Sequence, residues 1–138
     1  MMNLSLLFHV IAGFALALAF GGMTFFSAVM APLVFTKLPF ETASGFIRQV
    51  FPWYYLSIGA VSVAAALALL LAGEWPGAAL VAVVAVGFWF ARQVLMPRIN
   101  AARDAGAQAR FNRLHRFSVV INAAQWLLLA AVLALVLV

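Results

Sequence analysis

The chain has no cysteine. Disulfides, thiolate metal sites and cysteine nucleophiles are thereby excluded, and the redox compartment is left unmarked. Acid is almost as scarce: Glu41, Glu74 and Asp104 are the only carboxylate side chains among 138 residues. Paired acids, Ser-His-Asp spacing, a Gly-rich phosphate loop and a zinc motif are all missing, so the reading leans away from an enzyme. Only 8% of residues are charged, against roughly 25% in soluble domains. The remainder is apolar, with 68% hydrophobic residues and a mean hydropathy of +1.17. Too few polar residues exist to cover a core of that size. A soluble globule, a disordered tail and a collagen-like fibre are excluded, and lipid is the solvent for most of the surface.

Four apolar runs are present, at about residues 4–31, 51–72, 75–96 and 117–138. Each reaches the roughly 20 residues that a membrane-spanning helix needs. The prolines punctuate them. Pro32 is expected to close the first run, Pro52 to open the second and Pro97 to close the third. Pro76 suits the first turn of the third, where no backbone N–H is required. Gly73 stands where a residue follows a helix end. The expectation is a single all-α domain over residues 1–138, an integral membrane protein built as a bundle of four transmembrane helices. Connections are expected at 32–50 and 97–116. The first run is not expected to be a cleaved signal peptide, because Met1-Met2-Asn3 carries no basic group and the run is too long.

Eight Lys and Arg face three Asp and Glu, for a net charge of +5. Lys37 and Arg48 lie between the first two runs. Arg92, Arg98, Arg103, Arg110, Arg113 and Arg116 surround the end of the third and the start of the fourth. The opposite side holds only Glu74. The positive-inside rule then puts both basic connections in the cytoplasm and both termini outside, as in a multi-pass protein of a bacterial inner membrane. The partner implied by these charges is the anionic lipid headgroup rather than nucleic acid. Within the first connection, Phe40, Ala43, Ile47, Val50 and Tyr54 recur at helical spacing opposite Glu41, Ser44, Arg48 and Gln49. This pattern predicts a short amphipathic helix at the inner surface running into the second span. Trp53, Tyr54 and Tyr55 suit an aromatic belt.

Polar side chains inside the spans are the candidates for function. His115, Ser118, Asn122 and Gln125 follow steps of three, four and three and share one narrow helical face. They suit either a polar lining for a ligand, ion or proton path, or plain interhelical hydrogen bonding. Depth counting puts Thr24, Tyr55, Arg92, His115, Ser118 and Asn122 in the inner half, with Gln125 and His9 in the outer half. These residues other than His9 form the candidate ligand site: a net-positive inner pocket for a small ligand or a lipid headgroup. Arg92 reads equally as a snorkelling topology anchor. His9, Gly13, Ala17, Gly21, Thr24 and Ala28 share a face of small residues that lets neighbouring backbones approach.

Two further function classes stay open. One is a haem or metal protein with His9 or His115 as ligand. A haem bridging both is disfavoured, since their levels differ by about 30 Å at 1.5 Å per residue. Met30, Met96 and His115 offer a soft-metal alternative. The other is a subunit of an oligomeric transporter, for which the Ala-rich second and third spans offer homo-oligomer faces.

Several segments resemble the transmembrane-protein-205-like family of small membrane proteins. They are Gly21-Gly22-Met23-Thr24-Phe25-Phe26 leading to Ala31-Pro32-Leu33-Val34-Phe35, Phe51-Pro52-Trp53-Tyr54-Tyr55, Pro97-Arg98-Ile99-Asn100-Ala101-Ala102-Arg103-Asp104, and Phe111-Asn112-Arg113-Leu114-His115-Arg116-Phe117-Ser118. That resemblance implies a four-helix membrane protein without an established reaction. Leu7-Phe8-His9-Val10-Ile11 is similar to the opening helix of copper-resistance D proteins and of the J-type protoporphyrinogen oxidase. It implies His9 as a haem ligand and nominates no other residue.

Overall fold

A computed structural model describes residues 3–138. Met1 and Met2, part of the segment weighed as a signal peptide, lie outside the described residues. Every described element is helical, and four helices are long and apolar enough to cross a membrane. They are α1 (Leu4–Lys37), α2 (Phe40–Ala72), α3 (Trp75–Asp104) and α4 (Gln108–Leu137). At one end, Ser5 Oγ donates to the Ala72 carbonyl at 3.0 Å and His9 Nε2 to the Val136 carbonyl at 3.2 Å. These bonds join the start of α1 to the ends of α2 and α4. At the other end Arg48 of α2 holds Asp104 of α3. The helices therefore alternate in direction, and all the Lys and Arg residues fall toward the second end.

Local chemistry sets the turns. Asn3 caps α1 by accepting from the Leu6 N–H at 2.7 Å. Gly73, at φ +90°, and Gly106, at φ +69°, take the left-handed conformation that side chains resist. In each turn two amides fold back on the carbonyls just left: Glu74 to Leu69 at 2.8 Å, and Ala107 to Ala102 at 2.9 Å. Both are Schellman closures.

The prolines do not end helices as the apolar runs suggested. α1 continues past Pro32 to Lys37, and α3 past Pro97 to Asp104. Pro52 lies inside α2, which starts at Phe40. α4 begins at Gln108, ahead of its apolar run. The expected connections at 32–50 and 97–116 are thus mostly helix. Pro32 and Pro97 each follow a π-helical turn, Phe26–Met30 and Ala91–Leu95. A proline removes one N–H and crowds the carbonyl four residues earlier. That carbonyl belongs to Ala28 or Gln93, inside the widened turn, which makes the room.

The main core joins Leu16 and Met23 of α1, Leu69 of α2, Val81, Val84 and Phe88 of α3, and Leu129 and Val132 of α4. A smaller cluster of Val34, Ala43 and Ile47 docks the first turns of α2 on the end of α1. The amphipathic stretch is therefore the head of α2 rather than a separate surface helix. Large apolar side chains cover the outside, with Phe14 76% and Leu135 74% exposed, as suits a lipid-facing surface.

Candidate functional site

α1 and α4 pack together from the His9–Val136 contact up to the level of Thr24 and Trp126. There the Trp126 indole N–H donates to Thr24 Oγ1 at 2.8 Å, and Thr24 donates to the Phe20 carbonyl at 2.8 Å. Phe20 and Trp126 stack with ring centres 5.1 Å apart. Beyond this level, starting at the π-helical turn, the backbone of α1 no longer packs against α4. The space left between α1, α2, α3 and α4 is a cavity of about 880 Å³ in the basic half. It sits in the upper part of the roughly 300–1,000 Å³ typical of ligand sites.

Its floor and inner wall are aromatic. Phe26 stacks on Tyr54 at 4.5 Å, and Phe51 on Tyr55 at 5.5 Å. Tyr54 donates its hydroxyl to Asn122 Oδ1 at 3.1 Å, bracing α2 against α4. That bond occupies the amide oxygen of Asn122, a residue that also lines the cavity. Toward the mouth, His115 stacks flat on Phe111 with ring centres 5.7 Å apart. Ser118 hydroxyl donates to the His115 carbonyl at 2.6 Å, within its own helix.

The mouth carries cations. Arg48 and Asp104 form a two-pronged ion pair at 2.7 and 2.8 Å. The hydrogen bond from Arg48 holds the Asp104 carboxyl below its ordinary pKa, and the same bond raises that of the guanidinium. The neighbouring Arg103 guanidinium lies over the rings of Phe40 and Phe111, at 5.7 and 5.8 Å. Arg48, Arg103 and His115 line the cavity, and no carboxylate does.

Thr24, Tyr55, His115, Ser118 and Asn122 line this cavity. The other nominated residues lie elsewhere. Gln125 is 5% exposed and its amide donates to the Val84 carbonyl at 3.0 Å. Arg92 donates from Nε to the Pro52 carbonyl at 3.1 Å, bracing the proline-bearing part of α2. His9 is engaged with the end of α4 at the opposite end of the bundle, away from the cavity and from His115. Met96 and His115 line the cavity and Met30 does not. Among the described residues, no cluster of three or more His, Asp or Glu is placed to hold a metal.

The sequence reading passed over Tyr54, Trp126, Arg48 and Arg103 as site residues. Tyr54 looked like an aromatic belt and the arginines like topology markers, and Trp126 was not singled out. The one available signal was Tyr54 and Arg48 falling six residues apart beside Pro52, on the head of a helix whose start lay earlier than hydropathy showed.

No curated protein and no solved structure matches the chain. Residues 14–108 match a family described as a domain of unknown function, DUF4149. The matched segment runs from α1 to the first residue of α4, and so takes in the α1, α2 and α3 walls of the cavity. With more than half of its length in that match, the chain belongs to the DUF4149 family.

Proposed function

We propose that this is a multi-pass protein of the bacterial inner membrane, with its basic end in the cytoplasm and both termini outside. Its role is to bind a small ligand or a lipid headgroup in the cytoplasmic half of the bundle, without transforming it. The likeness to transmembrane-protein-205-like proteins belongs to the same proposal and brings no reaction with it. The collection of every Lys and Arg toward one end supports the orientation. One observation carries the binding role: a cavity of about 880 Å³ in which polar groups of α1, α2 and α4 converge over an aromatic floor.

Native mass spectrometry of protein extracted in mild detergent tests this reading. The expected spectrum shows a discrete mass above that of the polypeptide, which Ala123→Phe removes by filling the cavity. Bare polypeptide in every detergent, or a bound mass indifferent to Ala123→Phe, would refute it. The cysteine-free chain also permits single-cysteine tagging at Glu74→Cys and Arg110→Cys. Labelling of Arg110→Cys from the outside of intact cells would reverse the orientation.

A further inference from the structure

We infer that the ligand is an anionic phospholipid which enters the cavity sideways from the membrane, between α1 and α4, with Arg103 as the contact for its phosphate. This rests on the binding role proposed above and narrows it to a ligand class and a route.

The route follows from where the helices part. Up to Thr24 and Trp126 the two helices touch, and beyond them α1 and α4 make no backbone contact. The facing walls there carry small or lipid-exposed side chains: Ser27, Ala28 and Ala31 on α1, Val119 and Ala123 on α4. Such a slit opens to acyl chains. The water-facing end is strapped instead. The Arg48–Asp104 ion pair joins α2 to α3, and Arg103 reaches from α3 to Phe40 of α2 and Phe111 of α4.

The charge follows from an imbalance at the same place. Arg48 engages both oxygens of Asp104. Arg48–Asp104 is the only ion pair among the described residues, so Arg103 makes no salt bridge, although its charge still acts on the neighbouring Asp104. Ring contacts hold its guanidinium in position, while its N–H edges suit a phosphate, which a guanidinium meets with two parallel hydrogen bonds. Below it the lining changes from cationic to aromatic and apolar, through Phe51 and Tyr54 to Trp126 and Met23. A molecule with an anionic head at the headgroup level and a chain beneath it matches that order.

Trp126 provides the readout, because it lines the cavity while Trp53, Trp75 and Trp89 are 69%, 70% and 62% exposed on the outside of the bundle. With those three changed to Phe, the protein is reconstituted into phosphatidylcholine vesicles containing a small fraction of chain-brominated phosphatidylglycerol. Trp126 fluorescence is expected to be quenched at about fivefold lower mole fraction by this lipid than by brominated phosphatidylcholine, the preference one basic group confers. Arg103→Gln should reduce the ratio to about one, and Arg103→Lys should keep much of it. Ala123→Phe should abolish the quenching. Quenching that survives Ala123→Phe comes from lipid outside the cavity and overturns the proposal. So does equal quenching by the two lipids. Inorganic phosphate added to unbrominated vesicles separates the two sources of the anion. If it shifts Trp126 emission saturably while brominated chains do not quench, the ligand is a free phosphate and the lateral route is wrong. A bound mass that persists in native spectra without lipid preference would leave the binding role standing and remove this inference alone.

Discussion

The same four helices build two unlike halves. From the Gly73 turn to the level of Thr24 and Trp126 the bundle is closely packed. From there to the basic end it opens around a cavity. Lipid is as apolar as leucine, so burying aliphatic side chains between helices gains little over leaving them in the membrane. The tight half must be held by fit. Gly22 shows this, since a Cβ there would stand 3.0 Å from Ile58 Cδ1. The open half is held by directed contacts instead: Tyr54 on Asn122, Trp126 on Thr24, Arg92 on Pro52 and Arg48 on Asp104. Packing closes one half, helped by the Ser5, His9 and Gln125 bonds to backbone carbonyls, and polar bridges span the other while leaving space between them.

The sharpest break of that contrast is truncation in each half. Leu16→Ala removes a fully buried side chain from the tight half. Its expected cost is about 2–4 kcal/mol, chiefly from the void left behind. Val119→Ala, at a site 52% exposed beside the cavity, should cost less than about 0.5 kcal/mol. Thermal or denaturant unfolding in one detergent measures both. Equal losses would mean that the open half is as tightly fitted as the other.

Gly87→Ala acts at the border. A Cβ there would lie 2.6 Å from Gln125 Nε2. The amide would have to leave the Val84 carbonyl, at about 1–3 kcal/mol for the buried group left unpaired. The double variant Gly87→Ala with Gln125→Leu separates the two contributions: a loss that persists when the amide is gone comes from helix spacing alone. Ligand mass should be unchanged in Gly87→Ala, because neither residue lines the cavity.

Gln125 also marks how far the sequence could be read. Helical spacing put it on one face with His115, Ser118 and Asn122, and those three line the cavity. What separates Gln125 is depth. The Thr24–Trp126 contact closes the cavity at its level, and that contact depends on a partner 102 residues away. Span number and the direction of charge were legible because they depend on composition along one helix. The helix ends were not. Hydropathy registers where apolar residues stop, whereas Lys37 and Asp104 end helices that continue through a proline by widening one turn. Arg103 looked like one more cytosolic charge, since only the fold shows that Asp104 is already held by Arg48.

Tyr54→Phe loosens the open half with the least change of shape. It deletes the bridge to Asn122 and keeps the ring stacked on Phe26. Interhelical hydrogen bonds in membranes average about 0.6 kcal/mol, so the stability change should be of that order. The effect on bound mass should be proportionately larger, because Asn122 loses its orientation. A full loss of fold on Tyr54→Phe would show that the bridge holds the half together rather than tuning it.

The smallest effect belongs to the strap at the basic end. Arg48 and Asp104 are both exposed, at 41% and 59%, so water and salt screen their attraction. Asp104 has its pKa lowered by the hydrogen bond from Arg48. A carboxyl with a lowered folded-state pKa contributes stability above its unfolded value, and that contribution is lost as pH falls through the folded one. The melting temperature should therefore be flat in this respect through neutral pH and decline only in the acid range where carboxylates protonate. Asp104→Asn should remove that part of the decline, and added salt should flatten it in the unmodified protein. The difference between the two profiles isolates the strap. If the profiles coincide, Arg48 and Asp104 meet without holding α2 to α3, and the closure of the water-facing end rests on Arg103 and its two rings alone.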